Sequence, residues 1–148
     1  MGMKERIKQD LKDAMKSKDQ VKVRTLRMIL TTIRNIEVEK MKEATDEDVM
    51  DALQKEAKKR REAIEQYEKA GRNDLADEER KELSVIEKYL PEQMSEEEIK
   101  GLAKEIIEQL GASTVKDLGK IMKKIMPKVK GRADGKLVNR IVRELLQQ

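Results

Sequence analysis

Apolar positions return every three or four residues along nearly the whole chain, and no stretch alternates as a strand would. Met3, Ile7, Leu11 and Met15 predict a one-sided helix over residues 3–16. Ser17-Lys18-Asp19 forms a brief turn, after which Leu26, Ile29, Leu30, Ile33 and Ile36 lay a second apolar stripe along residues 20–42. Thr45 followed by Asp46-Glu47-Asp48 has the pattern of an N-cap with an acidic first turn, which complements the positive end of a helix dipole. The helix it opens carries Val49, Leu53, Ala57, Ile64 and Tyr67 to about Ala70, and Gly71 suits the left-handed residue beyond its end. Asn73 is the expected cap of a fourth helix, 74–90, with Leu83, Ile86 and Leu90 facing inward and Pro91 as its stop.

Ser95 with Glu98 has the form of a capping box. Ile99, Leu102, Ala103, Ile106, Ile107 and Leu110 predict the helix that follows, ending at Gly111. Thr114, with Asp117 three residues on, opens a helix bearing Val115, Leu118, Ile121, Met122 and Ile125. Pro127 should kink or end it, since proline lacks the amide hydrogen and crowds the preceding turn. A last helix, from about Asp134 to Gln147, is expected to bury Leu137, Val138, Ile141, Val142 and Leu145. The expected fold is all-α, a two-domain multihelical bundle. An N-terminal helical domain of about four helices covers residues 1–92, and a C-terminal three-helix domain covers 93–148. The boundary lies at Pro91-Glu92-Gln93-Met94.

Composition narrows the chemistry. The chain of 148 residues has no Phe or Trp and only Tyr67 and Tyr89 as aromatics, so its core rests on Ile, Leu, Val and nine Met. Base stacking on aromatic platforms has almost no residues to use. Histidine and cysteine are absent, which removes the usual general base, disulfides and the common transition-metal ligands. No phosphate-binding P-loop or dinucleotide fingerprint occurs. These features predict no catalytic residue, no metal and no cofactor. No apolar run approaches the length of a membrane span, and the charged N-terminus lacks a secretory apolar core. A cytoplasmic protein without a membrane role is the expectation.

Charge changes the picture most at the C-terminus. Residues 4–34 hold ten basic and four acidic side chains, and residues 35–118 are acidic overall. Residues 119–143 hold nine basic side chains against Asp134 alone. On a helical projection Lys136, Arg140 and Arg143 lie opposite the apolar side chains of the last helix, with Asn139 beside them. Lys120, Lys123 and Lys124 oppose Leu118, Ile121 and Ile125 in the helix before, and Lys128, Lys130 and Arg132 crowd the connection. Residues 54–70 interleave both signs, so Lys58-Lys59-Arg60-Arg61 finds local partners in Glu56, Glu62 and Glu65. The C-terminal cations have no such neighbours in sequence and therefore point to an external polyanion, with a steep salt dependence. Gly131 and Asp134 are placed as the C-cap and N-cap of the intervening turn. Gly135, like Gly119, sits at the edge of an apolar face, where close helix packing is the expected role.

Four stretches together resemble the GatB/YqeY family: KDQVKVRTLRMILTTIRN, KEAKKRREAIEQYEKAGRNDL, YLPEQMSEEEI and, most specifically, GKIMKKIMPKVKGRADGKLVNRIV. The resemblance covers about residues 3–147 and is to the stand-alone members. It implies an all-helical two-domain fold similar to the tail of the GatB component of the glutamyl/aspartyl-tRNA amidotransferase. That tail contacts tRNA outside the acceptor end, while ammonia transfer occurs in a separate, larger domain. Members carry the label of a carbon–nitrogen ligase with glutamine as amide donor, but this sequence lacks the catalytic portion. The resemblance and the cations together imply a non-catalytic tRNA-binding accessory module. Its partner would be tRNA or another structured RNA. The alternatives are a helical protein-interaction adaptor, or a component of an amidotransferase with a protein partner in tRNA-dependent amidation.

Overall fold

The computed structural model describes residues 2–147; among them are seven α-helices and one 3-10 turn, with no strand. The chain divides into two compact units between Leu90 and Pro91.

In the first unit, α1 (Met3–Ser17), α2 (Gln20–Lys40), α3 (Asp46–Lys69) and α4 (Asn73–Glu87) enclose one core. Ile7, Leu26, Ile29, Ile33, Leu53 and Ile86 are its largest fully buried side chains. Two of the unit's helix starts have a local cause. Asp19 accepts the amide hydrogen of Lys22 at 3.1 Å and opens α2. Thr45 Oγ1 accepts from the Asp48 amide at 3.1 Å while the Asp48 carboxylate accepts from the Thr45 amide at 3.0 Å, a reciprocal cap on α3. That amide and Lys40 hold the Asp48 carboxyl down at about 2, with the Lys40 hydrogen bond the larger cause. Tyr89 donates its hydroxyl to Asp10 and lies under the Arg6 guanidinium, 4.9 Å from the ring centre. Burial, then the bond to Asp10, pushes that hydroxyl's pKa upward.

Several details differ from the sequence pattern. Asn73 does not cap α4; it is the first helical residue, and Arg72 precedes it without a side-chain cap, bonding Asp74 instead. The helix ends at Glu87 rather than running to residue 90: Tyr89 and Leu90 donate three residues back, to Ile86 and Glu87, in a tightened last turn, and Pro91 has no amide hydrogen to continue the ladder. Arg60 does more than pair locally. Its buried guanidinium bridges Glu56 at 2.9 Å and Glu82 at 3.3 Å and reaches Met28 Sδ at 3.0 Å, joining α2, α3 and α4. A four-residue basic run contains no sign of which member turns inward.

The second unit is a three-helix bundle of α5 (Glu96–Leu110), α6 (Leu118–Val129) and α7 (Gly135–Leu146), with a 3-10 turn at Val115–Asp117 before α6. Every helix packs on both others around Ile99, Ile106, Ile121, Ile125 and Ile141, all fully buried. Ser95 and Glu98 form the expected box at the start of α5, and Gly111 ends it in the left-handed region at φ 63°. Pro127 does not stop α6, which continues to Val129. It sits in the last turn on the exposed side, where its missing amide deprives only the Lys123 carbonyl.

Candidate nucleic-acid interface

The turn between α6 and α7 is built by hydrogen bonds to the segment that precedes α5. Gly131 adopts φ 78°, a left-handed conformation that reverses the chain after α6 and that glycine takes without a Cβ clash. Its carbonyl accepts from Gln93 Nε2 at 3.0 Å. Next in line, Arg132 donates from Nε to the Glu92 carbonyl at 2.8 Å and approaches Glu98 at 3.7 Å, while its own carbonyl accepts the Met94 amide at 2.8 Å. The PEQM and GRAD segments are thus stitched together within one unit. Arg132 is therefore occupied by the fold, a correction to its expected place among free cations.

Asp134 has the extended backbone of an N-cap, φ −76° and ψ 135°, but its carboxylate makes no capping bond. A Cβ on Gly135 would meet Met126 Cε at 3.6 Å, an ordinary contact, and one on Gly119 would meet nothing within 4 Å. Close packing therefore dictates neither glycine. The start of α6 is held differently: the Asp117 carboxylate accepts the amides of Ser113 at 3.1 Å and Thr114 at 3.4 Å. Those two bonds, then the nearby charge of Lys120, hold its carboxyl below the usual range.

The expected basic faces exist, but their surroundings differ. Lys136, Arg140 and Arg143 are exposed on α7, with Asn139 half-buried. Arg140 is neutralised on two sides, by Glu96 of α5 at 2.9 Å and Glu144 of its own helix at 3.3 Å. The expectation that these cations lack internal counter-charges is corrected here, for a plain reason. Glu96 and Glu98 lie more than thirty residues upstream, and only the bundle brings them to α7 and to the turn. Their sequence pattern announces a cap and gives no sign of this second role. Lys130 and Lys136 are exposed but also engaged.

On α6 the situation is opposite. Lys120, Lys123, Lys124 and Lys128 are all exposed and share one face, spanning an arc of about 140° at 100° per residue. Among the described residues no ion pair within 4.0 Å involves Lys123, Lys124 or Lys128, and Lys120 has only Asp117 nearby. Because each helix packs on both others, the outer face of α6 and that of α7 diverge rather than merge. No helix is long and apolar enough to cross a membrane among the described residues, and no acidic cluster there is arranged to hold a metal ion.

Comparison with known proteins places the chain. A YqeY-like protein model matches residues 4–146. The mitochondrial "altered inheritance of mitochondria" protein 41 of Candida glabrata is 39% identical over 111 residues, covering 72% of this chain and 61% of that protein. A Schizosaccharomyces pombe protein named as uncharacterized is 38% identical over 89 residues, 60% of this chain and 72% of its own. The Eremothecium gossypii protein 41 is 39% identical over 85 residues, which is 57% of this chain and 46% of that protein. The matched region thus spans less than two thirds of both proteins numbered 41. Their names also overturn the expectation of a cytoplasmic protein, since they are designated mitochondrial. The match of almost the entire chain, through both units and the stitched PEQM–GRAD turn, makes it a member of the YqeY-like family.

Proposed function

We propose that the chain is an RNA-binding accessory module that meets the phosphate backbone of tRNA with the outer face of α6, without itself carrying out chemistry. One observation carries the reading. Four exposed lysines stand on one helix face with scarcely a carboxylate among them, whereas Arg132 and Arg140 of the same unit are held by Glu98, Glu96 and Glu144. Lysine is a compact point charge that suits phosphate contact without base readout, and two tyrosines offer little for stacking. The likeness to an amidotransferase tail supports tRNA as the polyanion.

The test is a filter-binding titration of tRNA, mitochondrial tRNA included, across salt concentrations. Four phosphate contacts predict a slope of log affinity on log salt of about −4. A slope near zero, or affinity unchanged by Lys123→Glu with Lys124→Glu, ends the reading. Product formation from glutamine, ATP and mischarged tRNA by the pure protein would overturn its non-catalytic part.

A further inference from the structure

The first unit carries a feature that RNA binding by α6 does not use. Three shallow depressions follow one another along the exposed side of α2: from Lys18 to Arg27, from Arg27 to Arg34, and from Arg34 to Met41 and Lys42. Arg27 and Arg34 each stand between two of them, so the three line up as an interrupted shallow groove of about 30 Å at 1.5 Å per residue. Its apolar side chains range from half-buried to fully presented. Val23 and Leu30 are partly buried, Val38 is 72% exposed and Met41 is 90% exposed. Its rim carries Arg27, Arg34 and Lys42, none of which is in an ion pair within 4.0 Å among the described residues; at the Met41 end Glu37, already held by Lys4 at 2.8 Å, and Glu43 also border it, so the excess is cationic. Met41 also holds a left-handed backbone at φ 55°, which costs a side-chain-bearing residue energy that glycine escapes. The chain keeps a fully presented thioether where glycine would suit the helix end better.

We propose that this groove docks an acidic amphipathic helix of a partner protein, its apolar stripe on Leu30, Val38 and Met41 and its carboxylates on Arg27 and Arg34. Positions 27, 31, 34, 38 and 41 recur at alternating steps of four and three, the spacing by which one helix face meets another. Charge selects the occupant. A second copy of this chain would bring Arg27 and Arg34 against a like-charged α2, and the other large exposed apolar side chains are Met15 of α1 and Leu110 and Val115 of the other unit. A nucleic acid would satisfy the arginines but leave Val38 and Met41 in water. An acidic helix satisfies both.

The experiment uses the full chain and a synthetic 21-residue fluorescent helix with leucine at the a and d positions and glutamate flanking them, read by anisotropy. Micromolar binding is expected, weakened about tenfold or more by Arg34→Glu and by Val38→Glu. A lysine-for-glutamate version of the peptide should not bind. Met41→Gly should weaken binding without lowering the melting temperature, which separates loss of an anchor from loss of fold. Lys123→Glu with Lys124→Glu should leave peptide binding unchanged, so this groove and the α6 face succeed or fail separately. Absence of peptide binding overturns the proposal, as does binding that survives Val38→Glu. A dimer in light scattering that Val38→Glu dissolves would assign the groove to a second copy. Loss of tRNA affinity on Arg34→Glu, with no peptide bound, would assign it to nucleic acid.

Discussion

Helices α6 and α7 share a bundle and both turn a row of cations outward, yet the structure treats the rows differently. On α7, Arg140 lies between Glu96 and Glu144. On α6, Lys123, Lys124 and Lys128 face solvent with no such neighbours among the described residues. The two rows look alike in sequence, nine basic residues against one acidic across 119–143. Their difference is made by Glu144 of α7 itself and by α5, whose acidic first turn caps its own helix and at the same time offers Glu96 to α7 and Glu98 to the turn before it. A cation already satisfied inside the protein must give up a partner to bind phosphate, whereas a solvated lysine only exchanges counterions. Local charge density is thus a poor guide to a binding face; what matters is which neighbouring helix supplies the opposite sign.

The largest effect should come from reversing charge on the free row. Lys123→Glu with Lys124→Glu removes two phosphate contacts and adds repulsion, so tRNA affinity at low salt should fall about 100-fold. Melting temperature should hardly move, because both side chains are exposed and make no ion pair. The parallel reversal of Arg140 and Arg143 should cost markedly less affinity. Equal losses from both pairs, in the same filter-binding assay, would erase the distinction between the helices.

Next in size is Arg132→Ala, which should reverse the pattern by striking stability more than binding. Its guanidinium donates to the Glu92 carbonyl at 2.8 Å and holds the chain entering α5 to the α6–α7 turn. Loss of a charged donor to a backbone acceptor predicts destabilisation of about 1–2 kcal/mol in urea unfolding. Arg132→Lys should not restore it, because an ammonium lacks the planar fork that spans Glu92 and Glu98. A larger effect on tRNA affinity than on stability would return Arg132 to the binding face.

Arg140→Gln comes third. It breaks two exposed pairs, each worth a fraction of a kcal/mol, about 0.2–1. Glu96 left behind still sits in the first turn of α5, where the helix dipole favours a carboxylate. The expected change is therefore small in melting temperature and at most about twofold in tRNA affinity. Both readings come from the same protein preparation.

Helix periodicity made the fold legible: the apolar stripes became buried faces except at Met15, Leu110 and Val115, which lie near helix ends and stay exposed, and the caps at Thr45 and Ser95 formed as their spacing predicts. Failures arose where a residue's role is set by something distant. Pro127 has the pattern of a helix stop, but an exposed last turn of α6 tolerates it. Arg60 is one of four adjacent cations in sequence, and only Glu82 and Met28, from other helices, draw it inward. The candidate site was legible as to which residues carry charge and which face of each helix they occupy. Of the carboxylates that satisfy them only Glu144, four residues after Arg140, was legible, since Glu96 and Glu98 reach α7 and the turn only through the tertiary fold.

The smallest effect contrasts how the two helices begin. The Asp117 carboxylate accepts two backbone amides ahead of α6, whereas the carboxylate of Asp134, at the same place before α7, accepts none. Asp117→Asn should therefore lower the melting temperature at neutral pH, and Asp134→Asn should leave it nearly unchanged. The Asp117 carboxyl is depressed below its ordinary value of 3.8 by the amides of Ser113 and Thr114 and then by Lys120. Its contribution is accordingly fully present above that ordinary value and lost as pH falls through the lower folded one. Melting curves of the parent and Asp117→Asn should converge as the pH drops below about 4, the parent alone losing stability from this group. The Asp134→Asn curve should track the parent at every pH. If instead Asp134→Asn converges on the parent only in acid while Asp117→Asn does not, the carboxylate holding a helix start is the one before α7, and the assigned difference between the two helix ends is reversed.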